Sequence, residues 1–289
     1  MLVARHAAQW AAYEVSSILH NCKRDIRPVD RPTRYFTLIS AGYPRTGAGT
    51  LIVKTKKMKC IRLALLLCLQ TLPASAHELW LEREGGGHLL LQGHRTGAHA
   101  GAERVPYAPG FVLQALCIDV RGAAQPAAFA STYPSTVAGD CAALFVAASS
   151  GYWTKTAWET KNAPKFGISG VLKSWRSEDS VKRLNRWSAA LAQPFGQGLE
   201  IAPTEDPFRL NADDKLRVRV TLAGKPRAGV PVAYDGATRG ATGEDGTVVL
   251  KIRHRGLQMI AASIETPLDG VQADTLVQAT TLNFELPAK

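Results

Sequence analysis

Four of the seven histidines in this chain, His77, His88, His94 and His99, crowd into one short stretch. Neutral imidazole is a ready ligand for nickel, copper and zinc, so such a cluster is first a question about metal. His77 carries the strongest chemistry, because it directly follows Ala74-Ser75-Ala76, a small-residue triplet of the kind cut by signal peptidase. A chain cut there would begin at His77 and present both an α-amine and an imidazole. Together these can close a chelate ring on one divalent ion. The free α-amine has a pKa near 8, so a metal can displace its proton at neutral pH. His94 and His99, in the polar, glycine-containing stretch 93–109, are positioned to return further ligands. Glu78 is adjacent, but on a strand its side chain points away from that of His77. His88 is the weaker candidate, and His254, set between Arg253 and Arg255, reads as a surface residue.

The elements that would position this site begin with an export signal. Lys54, Lys56, Lys57 and Lys59 precede the apolar run 63–69, and Met58 offers a start. Residues 58–76 then read as a signal peptide and 1–57 as an upstream extension. The apolar run is short of the ~20 residues that a membrane-spanning helix needs. No later segment approaches that length, so the mature chain is expected to have no transmembrane segment. The formal charge of +11 is carried by the leader, which holds 12 basic and 3 acidic residues; positions 77–289 hold 23 and 21. A nearly neutral mature chain has no electrostatic footprint for nucleic acid. Only Cys117 and Cys141 remain after the cut, and in an oxidising compartment two cysteines are expected to pair.

Beyond His77 the pattern is all-β, read as two antiparallel sandwich-like domains, 77–196 and 204–289, with one amphipathic helix between them. Glu78–Glu84 reads as a strand, Gly85-Gly86-Gly87 as its turn and 88–92 as the returning strand. The stretches 111–120 and 142–148 are short and apolar, as interior strands are. Over 177–193 the spacing of Val181, Leu184, Trp187 and Leu191 predicts a helix, capped by Ser177 and ended by Pro194 and Gly196. Arg183 and Arg186 would lie on its solvated face, and 196–207 reads as a linker. From Leu210 onward, alternating strands such as "KLRVRVTL" are separated by turns such as "TGEDGT", where Gly246 can take a positive φ.

No Gly-x-Ser-x-Gly elbow, P-loop, Rossmann glycine pattern, Cys-x-x-Cys pair or His-Glu-x-x-His helix occurs after His77. Binding without chemical turnover is therefore the expectation.

"AHELWLE" after a signal peptide, "LEIAPTEDPFRLNADDKLRVRVTLAGKPRAGVPV", "GATGEDGTVVLKI" and the closing "TLNFEL" resemble the periplasmic component of nickel/cobalt uptake systems. That group has long been catalogued as a domain of unknown function. The glycine- and proline-marked pieces of the second half also resemble the transthyretin-like, carboxypeptidase-regulatory-like sandwich, a likeness of fold alone. The first resemblance implies a periplasmic protein that binds Ni²⁺ or Co²⁺, or their chelates, and serves a membrane transporter. It carries His77 over as the residue opening the mature domain. Two other classes fit the same residues. One is a copper protein or enzyme using Cu²⁺ with an N-terminal histidine. The other is a metal-free adhesive module presenting Trp153 and Trp158.

Overall fold

The computed structural model describes residues 78–95 and 103–287, all within one compact unit, Leu72–Lys289. Residues 1–77, with the expected extension and signal peptide, lie outside the described residues, as do His77 and His99. The described residues form seventeen strands. The first six are β1 (Glu78–Glu84), β2 (Gly87–His94), β3 (Glu103–Arg104), β4 (Val112–Ile118), β5 (Ala124–Pro126) and β6 (Ser135–Ala138). The middle of the chain gives β7 (Ala143–Thr156), β8 (Thr160–Lys161), β9 (Val171–Leu184) and β10 (Leu199–Pro203). Then follow β11 (Lys215–Leu222), β12 (Lys225–Pro226), β13 (Pro231–Tyr234), β14 (Ala237–Ala241), β15 (Thr247–Lys251), β16 (Gly256–Pro267) and β17 (Thr275–Leu286).

These strands make three stacked layers. A nine-stranded central sheet runs β14-β13-β16-β17-β9-β7-β4-β5, with β8 beside β7. One face carries the four-stranded sheet of β1, β2, β3 and β6; the other carries the sheet of β10, β11, β12 and β15. The alternation of β7 shows why the central layer must be buried twice. Leu144, Val146 and Ala148 enter the core with Leu79, Leu81 and Leu90 of the first sheet. Ala143 and Phe145 enter the core with Ile201, Val218 and Val220 of the other. A strand covered on both faces reads as a continuous apolar run, which is the character of "AALFVAA".

The helix expected over 177–193 is absent. Val171–Leu184 is a strand, followed by a 3-10 turn at Ala189–Ala192. Val181 and Leu184 have helical spacing, yet as strand residues they face opposite cores. The polar residues between them suggested a wet face, but neighbouring strands supply partners for them. Lys182 meets Glu200, while Arg183 donates to the Leu81 carbonyl and pairs with Glu285, so Arg183 is buried rather than solvated. Arg186 is exposed and pairs with Asp140. Trp187 packs against the core, as expected.

The two-domain division also gives way. The last strand, β17, inserts between β16 and β9, pairing antiparallel with one and parallel with the other. One sheet thus takes strands from both halves of the sequence. The expected linker contains β10, every residue of which is buried. Among the described residues no helix is long and apolar enough to cross a membrane.

Candidate functional site

The first hairpin forms as its sequence dictates, with Glu78 opposite Gly93 at one end and Glu84 opposite Gly87 at the turn. Among the described residues β1 has one strand partner, β2, and its other edge meets side chains from the central sheet. Asn283 accepts from the Leu81 N–H, Thr281 donates to the Leu79 carbonyl, and Arg183 donates to the Leu81 carbonyl at 3.0 Å. An edge strand satisfied this way is fixed at its backbone, not only by apolar packing. The start of the described chain is therefore held in place on the central sheet.

His94 closes β2, is partly buried, and stands opposite Glu103 of β3. His88, from the same strand, is a core residue. Its Nε2 faces Asn185 Oδ1 at 3.2 Å, and burial followed by the charge of Arg183 pushes its pKa down. Its other ring nitrogen, Nδ1, is enclosed in the core without a hydrogen-bond partner among the described residues.

A second cluster gathers beside Glu78. Burial, then the charge of Asp235, raises the Glu78 carboxyl to about 7, with Arg95 opposing. Asp235 contacts His254 (Oδ2 to Nε2, 2.9 Å), while its Oδ1 is buried without a hydrogen-bond partner. The His254 ring stacks on Tyr234, and its Nδ1 lies 2.6 Å from the Arg255 carbonyl oxygen. His254 is therefore partly exposed but engaged on both ring nitrogens. Sequence reading missed Asp235, although a signal was available. "YDGA" is an Asp-Gly pair between alternating stretches, and Asp235 and Gly236 take φ of 50° and 73° in the two-residue turn joining β13 to β14. The turn brings Asp235 to Glu78.

Cys117 and Cys141 form a disulfide, with Cα atoms 5.3 Å apart. The two tryptophans singled out as a surface platform separate. Trp153 is half-buried, stacks on Trp175 across the ladder and donates to Ser150 Oγ, while Trp158 is 93 % exposed. A small cavity of about 90 Å³ near Tyr107 and Phe111 is lined by apolar and aromatic residues and Ser131. The Tyr107 hydroxyl there is already committed to Leu90 and Ser135. Among the described residues no three His, Cys, Asp or Glu side chains gather closely enough to hold a metal. The described part supplies the opposed pair His94 and Glu103, and the acidic neighbourhood of Glu78.

Residues 118–266 match the domain of unknown function DUF4198, which spans just over half of the chain. The chain belongs to this family. No curated protein matches it.

Proposed function

We propose that this is a periplasmic protein, exported and cut after Ala76, that captures a divalent transition metal, nickel or cobalt, at its mature N-terminus and serves a membrane uptake system. One observation carries it. The last described pair of the β1–β2 ladder is Glu78 opposite Gly93, and the residues flanking that pair, His77 on one strand and His94 on the other, are both histidines. In our reading, a ladder continued by one more pair would set these two histidines opposite each other, within reach of one ion. The α-amine of His77 completes a chelate with its own ring.

Three further features support it. The backbone of β1 is fixed at Leu79 and Leu81 by Asn283, Thr281 and Arg183, so the strand that follows the proposed site is rigidly held. Asp235 is an acidic neighbour of Glu78, the first described residue of β1. The disulfide suits an oxidising compartment. His99 is part of the proposal by sequence alone. When bound, the metal is cargo; the protein supplies donors and undergoes no turnover.

The test starts from protein purified from the periplasm of an exporting host, with N-terminal sequencing followed by titration with Ni²⁺, Co²⁺ and Cu²⁺. A chain beginning at His77 that binds tightly, and loses affinity when an alanine is added before His77, supports the proposal. Preference for copper would move it to copper chemistry. A different start, or equal weak binding with and without the added alanine, overturns it and leaves a partner-binding module with Trp158 as its exposed contact.

A further inference from the structure

We infer that one end of the central sheet is a membrane-contact surface, whose tip side chains enter the headgroup region of a lipid bilayer. None of the residues proposed for metal capture takes part. β7 and β16 end here and β9 and β17 begin here, because β9 runs antiparallel to β7 and parallel to β17. On β7 and β9 neither apolar core extends past Ala148 and Val181 toward this end, so the outer part of the sheet stands clear of the packing between layers. Its loops and strand ends carry four large apolar side chains: Trp158 at 93 % exposure, Phe166 at 79 %, Val271 at 74 % and Leu172 at 66 %. The Lys165 N–H donates to the Gln272 carbonyl at 2.9 Å, which ties the loop of Phe166 to that of Val271. A single exposed apolar residue is ordinary; four gathered at one end mark a contact surface.

The shape of this end favours lipid over a folded partner. Each of the four side chains is largely exposed, so they project separately and do not pack into a common surface. A folded partner would need a pocket for each, packed to interior density, whereas fluid lipid closes around any shape. Behind them the stacked rings of Trp153 and Trp175, with Lys173 Nζ 5.9 Å from the Trp175 centroid, brace the two long strands.

The backbone is ready for a medium that offers no hydrogen bonds. The Thr156 N–H donates to the Glu159 carbonyl at 2.9 Å, and the Thr156 hydroxyl oxygen accepts from the Trp158 and Glu159 N–H groups, each at 3.2 Å. The Asn162 side-chain amide donates to the Ser150 and Tyr152 carbonyls. In the other loop the Leu268 N–H donates to the Asp274 carbonyl.

Charge is balanced. Lys161 pairs with Glu159, Lys165 with Asp274, Lys173 with Glu265 and Arg176 with Glu178. Lys155 and Asp269, one of each sign, make no ion pair among the described residues. There is no net field for a strongly charged partner to match. Tryptophan and phenylalanine at the tip, with lysine stems around them, are the side chains that settle at a membrane–water interface.

The experiment uses protein purified from the periplasm of an exporting host, whatever its first residue. Flotation with vesicles of phosphatidylcholine, and of phosphatidylethanolamine mixed with phosphatidylglycerol, is measured for the parent, Trp158→Ser/Phe166→Ser and Trp158→Phe. Quenching of tryptophan fluorescence by brominated phosphatidylcholine is recorded alongside. The parent should float with both vesicles and lose little binding in high salt. The double variant should bind about tenfold or more weakly with unchanged thermal unfolding. Trp158→Phe should still float but lose most of the quenching, a readout that does not depend on the double variant folding. A parent that stays with neither vesicle, or a double variant that floats like the parent, overturns the assignment. So does binding confined to the anionic vesicles and abolished by salt, which would place the contact on surface charge. Self-association of the parent without flotation, lost in the double variant, would make this end an interface between copies and overturn it as well.

Discussion

Lys182 and Glu200 meet at 2.5 Å with both side chains closed to solvent, at 0 % and 1 % exposure. The pair joins the central sheet to β10 of the sheet beyond it. Lys182 also donates to the carbonyls of Leu191 and Gln193, and the other Glu200 oxygen accepts from the N–H groups of Phe195 and Gly196. Burial pushes the lysine pKa down, and the charge of Glu200 opposes it. The pair therefore fastens the turn between β9 and β10, where a helix and linker were expected.

Removing one member leaves a buried charge with no counter-charge. Lys182→Met should lower stability by about 3–5 kcal/mol. The double variant Lys182→Met/Glu200→Gln keeps an acceptor for the Phe195 and Gly196 amides and should recover most of that loss. Urea unfolding of the parent, Lys182→Met, Glu200→Gln and the double variant gives the coupling directly; additive losses would show that the contact has no special weight.

Asp179 lies on the other face of the same strand, 8 % exposed, with Ser177 Oγ donating to it at 2.9 Å. Burial raises its pKa from 3.8 to about 6; the Ser177 hydrogen bond opposes this, and Glu178 adds to it. The folded chain thus holds the proton through a window in which the unfolded chain has released it. Asp179 leaves stability untouched below pH 4 and lowers it progressively as pH rises from 4 to 6, by about 3 kcal/mol at neutral pH. Asp179→Asn should match the parent near pH 4 and exceed it at pH 7. Parallel pH–stability curves for the two chains would refute this.

The Cys117–Cys141 disulfide spans 24 positions. Replacing both cysteines with alanine should cost about 3 kcal/mol in the chain-entropy account, read as a lower urea midpoint. Adding reductant to the parent should produce the same shift and leave the variant unchanged.

Gly246, in the "TGEDGT" turn, has φ of +72°, and a Cβ there would lie 2.8 Å from the Val220 carbonyl oxygen. Gly246→Ala should lose about 1–3 kcal/mol, because a strained conformation and a backbone contact combine. Gly85→Ala, at a similar φ but with open space around it, should lose less. Thermal unfolding of both separates the two contributions.

Local chemistry fixed much of this protein before any contact was known. Leu79 and Leu81 were assigned to one face of β1, and both enter one core. The glycine turn after β1, the buried face of "KLRVRVTL", the positive φ at Gly246 and the inward Leu282, Phe284 and Leu286 all follow from alternation and turn chemistry. These properties depend on neighbours in sequence, so a sequence displays them. His94 was likewise legible as a candidate, because residue type alone nominates it.

Tertiary structure decided what depends on partners far along the chain. Whether 177–184 is helix or strand turned on Glu200, Glu285 and the Leu81 carbonyl, which lie beyond the reach of local periodicity. Only pairing across about a hundred residues placed β17 against β9 and merged the expected two domains. The same holds at the site. Spacing could nominate His94 but not Glu103 opposite it, nor Asp235 beside Glu78, because register is set by which strands meet. Side-chain types and their alternation are written in the chain itself; which of them face one another is settled by the packing of three sheets.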